Sequence, residues 1–399
     1  MMASKNFNQH LTSKIMSDEI FSFIPQQLPQ SSGVNIGILS QLFNSTTTSY
    51  KYLFFLSLLD ILERHAFECP LEINLREVII EMLINAWYPH SYFKLSFGSQ
   101  DRIAKKLDHL APVFLKSALN LANFERNSIR KSIQAQNLDD ISKDILRYVP
   151  FRLIYPFFQE FLRGIKDTKI NQAIVDLSRE KFQDIKPLYC FKSDQATFCQ
   201  SIIFHQDWII YFRENFPIVR GWATWQWLIY MQQRNPSTPN IVSKIFPPIR
   251  RSSLDQISKL WEPVIQSENL SCIYSGQSLQ DTTSAIDHFL PWSFVAHDLP
   301  WNLIPVDSRA NLMKSNHLPS VNYLDFFIGL QHKFLVFHYQ HMTSRKWDKH
   351  ISSYISDLRI SAPDLLILEH LQMSYRRTLE PLLSLANQQG FIGEWTYKP

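Results

Sequence analysis

The chain has 399 residues, more than one hydrophobic core usually serves, so its length predicts two or three domains. Hydrophobic residues make up 45% of the chain and charged residues 19%, a balance that provides large cores and argues against a disordered protein. The formal net charge of +4 permits a nucleic-acid partner through a local basic surface without requiring one. Only 9 glycines, against 29 phenylalanines and 10 tryptophans, argue against glycine-rich phosphate loops and for densely packed helices.

The cysteines and the apolar stretches indicate the compartment. None of the four cysteines forms a C-x-x-C pair, so we expect neither a disulfide framework nor a zinc knuckle, and a reducing cytoplasm fits best. The residues from Met1 to Pro25 lack a signal-peptide pattern. The most apolar stretch, Tyr52 to Leu59, is too short to span a bilayer. We therefore expect a cytoplasmic protein with no membrane partner.

The N-terminal part of the chain is patterned mainly for helices. The first 45 residues are polar and poorly patterned. Helical spacing then appears in several segments, with a break or kink expected at Pro112 in the third. These segments are Tyr50–His65, Leu75–Trp87, Asp101–Leu121 and Leu138–Arg147.

A change of period marks a hairpin after these helices. Leu188–Phe191 and Ser201–Phe204 are short, β-prone runs around a polar turn. Helical patterning returns from Asp207 to Gln233, with an interruption at Pro217. Repeated prolines then place the main domain boundary near residue 250.

The C-terminal part contains the segment with candidate chemistry. After a helix at Ser253–Glu262, two short strands are predicted around Ala285–Trp292 and Leu299–Pro305. A helix is expected to begin at Ser308, which we place as its cap, and further helices follow. These are Leu324–Thr343 and Pro363–Gln388.

The spacing of polar residues in this segment is specific. An Asp287-His288 pair is followed 14 residues after the histidine by Asn302, nine residues later by Asn311, and three residues later by Lys314. Alone, an acid-His pair is usually a surface carboxylate beside an ordinary histidine. The joint pattern between Cys272 and Pro319 resembles the HNH endonuclease family, whose ββα-metal fold supports phosphodiester cleavage.

The resemblance implies a role for each residue. His288 would be the general base that deprotonates a water, since imidazole titrates near neutrality. Asp287 and Asn311 would provide oxygen ligands for Mg²⁺ or Mn²⁺. Asn302 would hold the connecting loop to the histidine strand through backbone hydrogen bonds, and Lys314 would pair with a phosphate.

The sequence departs from the family pattern in two places. Many members carry a structural zinc on paired C-x-x-C motifs, but Ser275 replaces the second thiol here, so Cys272 is expected to be merely buried. Ser315 stands where some members carry a further histidine, and His317 is an alternative ligand two residues beyond it. A second acid-histidine pair, His297-Asp298, is interpreted as solvated loop residues.

Other features have a plain structural interpretation beside a functional one. The tryptophans from Trp208 to Trp227 are interpreted as core residues, with base stacking as the alternative. Small basic groups are interpreted as solvated faces, with contacts to a phosphate backbone as the alternative. These groups are Arg126/Arg130, Arg250-Arg251, Arg345-Lys346 and Arg376-Arg377.

The sequence thus predicts an α+β, mostly helical protein with an embedded ββα-metal nuclease. Residues 1–250 would form a helical recognition or regulatory domain, 251–320 the nuclease domain and 321–399 a helical C-terminal segment. The predicted function is metal-dependent hydrolysis of DNA in anti-phage defence or restriction, with DNA and a protein activator as partners. An RNA-cleaving nuclease and a catalytically silent binding protein are the alternatives.

Overall fold

The computed structural model describes residues 28–114, 126–246 and 252–399 and is mostly helical in these ranges. The α-helices are numbered α1 to α17 in chain order. They are Ile36–Leu39, Tyr50–Arg64, Leu75–Trp87, Ile103–Phe114, Arg126–Gln134, Asp139–Leu146, Val149–Ile154, Asp167–Glu180, Phe182–Ile185, Gln206–Arg234, Ile241–Ile245, Asp255–Glu268, Trp292–Val295, Ser308–Lys314, Leu324–His341, Ser344–Leu358 and Leu368–Gln388.

The described strands form two small antiparallel sheets. One sheet has the order β1-β3-β2, with β1 at Glu72–Asn74, β2 at Tyr189–Phe191 and β3 at Ser201–Phe204. The other pairs β4, at Ser284–His288, with β5, at Leu303–Asp307. Short 3₁₀ segments occur at Tyr155–Phe158, Ala196–Phe198, Pro300–Asn302, Val321–Tyr323 and Asp364–Leu366, and a π-helical turn at Tyr88–Tyr92.

The chain divides into two compact units, the first comprising the described residues of Met1–Asn85 and Ile133–Tyr230. Its helix α2 (Tyr50–Arg64) is buried over nearly its whole surface, as its continuous apolar sequence predicts. It packs against α7 (Val149–Ile154), and the three-stranded sheet lies in the same unit. Trp208, Trp222 and Trp227 are buried, so their interpretation as core residues is confirmed. For Trp225, which is 41% exposed, that interpretation is wrong.

The second unit comprises the described residues of Ala86–Ser132 and Met231–Pro399. One continuous hydrophobic core runs through it from Trp261 to Phe391. Phe289, directly after β4, stacks on Phe327 of α15 with ring centroids 4.2 Å apart. The two-stranded sheet and the C-terminal helices therefore bury their apolar faces against each other.

Most predicted elements are found with small shifts at their ends. The helices at Tyr50 and Leu75 and the hairpin at Tyr189–Phe204 are confirmed. The sequence did not reveal β1, which completes the sheet, or α16 (Ser344–Leu358). A break at Pro112 is wrong, since α4 continues past it to Phe114, and the alternative of a kink stays a prediction. The rest of the predicted helix, 115–121, lies outside the described residues.

No helix within the described ranges has the length and apolar character needed to cross a membrane.

The basic groups identified in the sequence are only partly described. Arg250-Arg251 lies outside the described residues. Arg376 forms an ion pair with Asp325 at 2.6 Å, and this pair links α17 to α15.

Candidate active site

The predicted motif folds as two antiparallel strands followed directly by a helix. In the pairing of β4 with β5, Asp287 lies opposite Ile304 and His288 opposite Leu303. The helix α14 begins at Ser308, immediately after β5, and packs back on β4. This short connection brings Lys314, at the end of the helix, beside the acid-histidine pair at the end of β4.

The helix α14 is capped by a different residue from the one predicted. Asp307 Oδ1 accepts hydrogen bonds from the backbone N–H groups of Arg309, at 2.7 Å, and Ala310, at 3.0 Å. Ser308 Oγ instead donates to the carbonyl of Thr283 at 2.7 Å. The prediction of a Ser308 cap is therefore wrong, because the carboxylate one residue earlier reaches the free N–H groups of the first turn.

Asn302 joins the loop between the strands to the end of the first strand. Its amide donates to the carbonyl of Leu290 at 2.9 Å and accepts from the Leu290 N–H at 2.8 Å. Its own carbonyl accepts from the Phe289 N–H at 2.9 Å. With 0% exposure, Asn302 satisfies buried backbone groups directly after His288, and it does not face a substrate.

The carboxylate of Asp287 is held from two sides. Lys314 Nζ, fully buried, donates to Asp287 Oδ1 at 3.1 Å and to the carbonyl of His288 at 2.7 Å. The Tyr274 hydroxyl donates to Asp287 Oδ2 at 2.9 Å. Burial lowers the pKa of Lys314 from its usual value, and the nearby Asp287 charge opposes part of that shift. The structure therefore contains a buried ion pair where the motif predicts a metal ligand.

His288 is paired with an acid from the loop. Its Nε2 lies 2.7 Å from Asp298 Oδ1, and the residue is only 7% exposed. Because an ionised carboxylate only accepts hydrogen bonds, this contact assigns the proton to Nε2 in the neutral ring. The Nδ1 atom then carries the lone pair, so the pairing determines which nitrogen is available to accept a proton.

The interpretation of His297 and Asp298 as solvated loop residues is wrong. Asp298 is half-buried against His288, and the His297 ring packs 5.3 Å from the ring of Trp301. Burial, partly opposed by the Asp357 charge, lowers the pKa of His297 to about 4. The only sequence signal for Asp298 was an acid in the loop after the motif histidine, which does not reveal its partner.

Asn311 and His317 lie further along the same segment. Asn311 is half-buried on α14, three residues before Lys314. His317 Nδ1 lies 2.7 Å from the carbonyl of Lys314. That nitrogen is thus engaged with the helix end, which leaves Nε2 as the atom that would act if His317 were a ligand.

The C-terminal helices support the loop that carries Asn302. Gln331 of α15, 0% exposed, donates to the carbonyls of Leu303, at 2.9 Å, and Pro300, at 3.2 Å. Its Oε1 accepts from the Tyr354 hydroxyl at 2.7 Å. From α17, the Tyr375 hydroxyl donates to the Trp301 carbonyl at 2.9 Å. These buried bonds fix the backbone between the two strands.

The end of the chain packs behind Tyr274. Trp395 exchanges backbone hydrogen bonds with Leu318 and Ser320, which forms a short bridge just after α14. The rings of Trp395 and Tyr323 contact Tyr274 edge to face, at centroid distances of 5.2 and 5.0 Å. Burial, followed by the Asp287 charge, raises the pKa of Tyr274 well above its usual value, so its hydroxyl remains a donor to the carboxylate.

The donor atoms fit a hard divalent cation in their chemical type. Asp287 and Asn311 both offer oxygen, and each Asp287 oxygen, accepting one hydrogen bond, keeps a further lone pair. Within the part of the chain that the structure describes, no group of three or more His, Cys, Asp or Glu side chains could hold a metal. Cys272 is 1% exposed, as expected of a buried residue. A cation here would have few protein ligands, and water and phosphate oxygens would complete its shell.

Comparison with known proteins identifies the same segment. Residues 272–320 match the sequence model of a family described as HNH endonuclease. Comparisons of the chain with curated proteins and with solved structures gave no match. The match covers the ion pair of Asp287 and Lys314, the His288–Asp298 contact and the Asn302 loop described above. The segment from Cys272 to Ser320 therefore matches the HNH endonuclease family.

Proposed function

We propose that the protein is a metal-dependent endonuclease that hydrolyses DNA phosphodiester bonds with Mg²⁺ or Mn²⁺. The observation that supports this most directly is the HNH segment in which His288 is oriented by a carboxylate at 2.7 Å and adjoins the buried pair of Asp287 and Lys314. An oriented base beside a carboxylate and an ammonium group meets the needs of phosphodiester hydrolysis.

His288 is the proposed general base. Its Nδ1 accepts a proton from a water whose oxygen attacks phosphorus, while Asp298 stabilises the imidazolium that forms. The bond from phosphorus to the 3′ oxygen breaks, which leaves a 5′-phosphate and, after protonation of the leaving oxygen, a 3′-hydroxyl. Asp298 is therefore a positioning residue that acts through His288.

Asp287 and Asn311 are the proposed metal ligands. When bound, a divalent ion supplies positive charge beside the phosphate and the leaving oxygen. Lys314, one turn after Asn311, provides a further positive charge for the phosphate. Asn302 holds the backbone that follows His288 and does not react.

The site as described is closed. His288 is 7% exposed and Asp287 is 4% exposed, so a DNA backbone cannot contact either side chain until the surrounding groups move. An opening step, triggered by DNA or by a protein activator, is therefore part of the proposed function. A nuclease that stays closed until triggered suits a role in anti-phage defence or restriction, with residues 1–250 as the recognition or regulatory part.

Cleavage of supercoiled plasmid with Mg²⁺ or Mn²⁺ tests this function. The wild type is compared with His288→Ala and, as a matched control, with His341→Ala, which changes an exposed histidine of α15. We expect nicked product from the wild type and the control, and a loss of roughly 10²- to 10⁴-fold in His288→Ala. Equal cutting by all three proteins would contradict the assignment of His288.

A parallel set of RNA substrates distinguishes the alternatives. Cleavage of RNA in preference to DNA would replace the proposed substrate and leave the site unchanged. If neither substrate is cut but Mg²⁺ or Mn²⁺ binds in the presence of DNA or RNA, the enzyme requires a protein activator. If neither ion binds in the presence of DNA or RNA, the protein is a nucleic-acid-binding or partner-binding module.

A further inference from the structure

The ion pair of Lys314 and Asp287 joins two groups that the proposed function uses separately. The ammonium group of Lys314 donates hydrogen bonds to Asp287 Oδ1 at 3.1 Å and to the carbonyl of His288 at 2.7 Å. Lys314 is 0% exposed, and Asp287, with its other oxygen held by Tyr274, is 4% exposed. The single carboxylate proposed as a metal ligand is thus already neutralised by a buried cation.

A divalent ion bound to Asp287 and this ammonium group would repel each other at the same carboxylate. A Mg²⁺–oxygen bond is about 2.1 Å long, so a metal on Asp287 Oδ1 would lie within a few ångströms of Lys314 Nζ. In a water-excluded site, repulsion between a double and a single positive charge at such a separation is large. Lysine can leave without unfolding the motif, because its charge sits on a flexible four-carbon stem.

Resting on the proposed function, we propose that Lys314 occupies the metal-binding carboxylate in the closed site and that metal binding requires its displacement from Asp287. In the closed state the ammonium group keeps the buried carboxylate paired. In the open state it is free to contact the phosphate. Lys314 thereby couples metal loading to the opening of the site, so free metal alone loads the resting protein weakly.

Mn²⁺ binding to the full-length protein, followed by the electron paramagnetic resonance signal of free Mn²⁺, tests the proposal without any measurement of cleavage. The main variant is Lys314→Gln, which removes the charge and keeps an amide that donates to Asp287. Its matched control is Lys333→Gln, which changes an exposed lysine of α15 that pairs with Glu268 at 3.9 Å. A further variant, Asp287→Asn, tests whether the carboxylate of Asp287 is the ligand that binds Mn²⁺.

We expect Lys314→Gln to bind Mn²⁺ at least about tenfold more tightly than the wild type, which corresponds to about 1.4 kcal/mol. Lys333→Gln should bind as the wild type does, and Asp287→Asn should lose binding at this site. Equal or weaker binding by Lys314→Gln, with binding still lost in Asp287→Asn, overturns the competition and leaves the metal site intact. Unchanged binding in Asp287→Asn instead overturns both the metal-ligand role and the competition.

A second variant addresses the stability of the buried pair. If Lys314→Gln does not fold, Lys314→Met, which also removes the ammonium charge and keeps an unbranched stem of similar size, takes its place in the Mn²⁺ titration with the same expected gain, and equal or weaker binding by Lys314→Met likewise overturns the proposal. Tyr274→Phe retains the lysine and removes only the hydroxyl donor. Its Mn²⁺ affinity should stay within about threefold of the wild type, which is below the tenfold threshold above. A gain as large as that of Lys314→Gln would contradict a specific role for the ammonium charge.

Discussion

His288 Nε2 and Asp298 Oδ1 lie 2.7 Å apart across the loop that joins the two strands of the HNH segment. The acid follows the histidine by ten residues, and no spacing rule in the motif connects them. Their contact determines the protonated nitrogen and the orientation of the ring. A base that is held in this way is prepared for its step before substrate arrives.

Asp298→Asn should lower the rate of plasmid nicking by roughly 10- to 100-fold while metal affinity stays unchanged, because partners that orient a functional histidine typically have effects of this size. The amide retains the shape of the side chain but can present an N–H to Nε2 and so favour the wrong tautomer. Single-turnover nicking and Mn²⁺ binding are measured together.

The control for this prediction is Asp348→Asn, which changes an exposed acid of α16 and should nick at the wild-type rate. A rate for Asp298→Asn within twofold of the control would show that the 2.7 Å contact does not orient the base.

Asn302→Ala should destabilise the second unit by about 2–5 kcal/mol, since it leaves the N–H and the carbonyl of Leu290 buried without their partners. Urea unfolding followed by tryptophan fluorescence measures the change. Asn322→Ala, which truncates an exposed asparagine, is the matched control and should change stability by less than about 0.5 kcal/mol. Similar small effects for both variants would contradict a structural role for Asn302.

Gln331→Leu should destabilise the protein by about 3 kcal/mol and reduce nicking, although Gln331 lies on a helix outside the HNH segment. The substitution leaves the carbonyls of Pro300 and Leu303 and the hydroxyl of Tyr354 without this donor or acceptor. Urea unfolding and plasmid nicking are measured for the same preparations.

Gln340→Leu, at an exposed position of the same helix, provides the comparison. If both leucine variants nick and unfold like the wild type, the support of the active-site loop by α15 is wrong.

His350 should make the second unit less stable in acid. Burial, followed by the charge of nearby His338, lowers the pKa of His350 to about 4, whereas an unfolded histidine has a pKa of about 6.5. Between these values the unfolded chain binds more protons, so the free energy of unfolding falls as the pH is lowered from 6.5 toward 4. The slope is at most about 1.4 kcal/mol per pH unit, and partial exposure reduces the total to roughly 2 kcal/mol.

His350→Phe tests this pH dependence, because it keeps a ring against Phe334 and removes the titration. Urea unfolding at pH 7 and pH 4.5 should show a smaller acid loss in this variant than in the wild type. His370→Phe, which replaces an exposed histidine, should retain the full loss. Equal losses in all three proteins would assign the acid sensitivity to other groups, such as His297.

The amount of the structure that could be predicted differs between local and long-range features. The α-helix Leu75–Trp87 has the predicted bounds, but the predicted reason is wrong, because Tyr88 and Pro89 continue in a π-helical turn to Tyr92 and do not leave helical structure. The strand Glu72–Asn74 was missed because only three residues pair, and their partner, Ser201–Phe204, is distant in the chain. The Ser308 cap was misplaced by one residue, since sequence alone does not show which oxygen reaches the first turn.

The motif can be recognised without a structure, because the order of Asp287, His288, Asn302, Asn311 and Lys314 is a local property of one segment and defines its chemical types. The contacts of these side chains, in contrast, follow from the tertiary packing. The pairing of Lys314 with Asp287, of Asp298 with His288 and of Gln331 with the Asn302 loop depends on how separate elements pack. Hydrogen bonds form over distances of about 3 Å, and such distances between residues far apart in the chain follow from the packed core and not from sequence spacing.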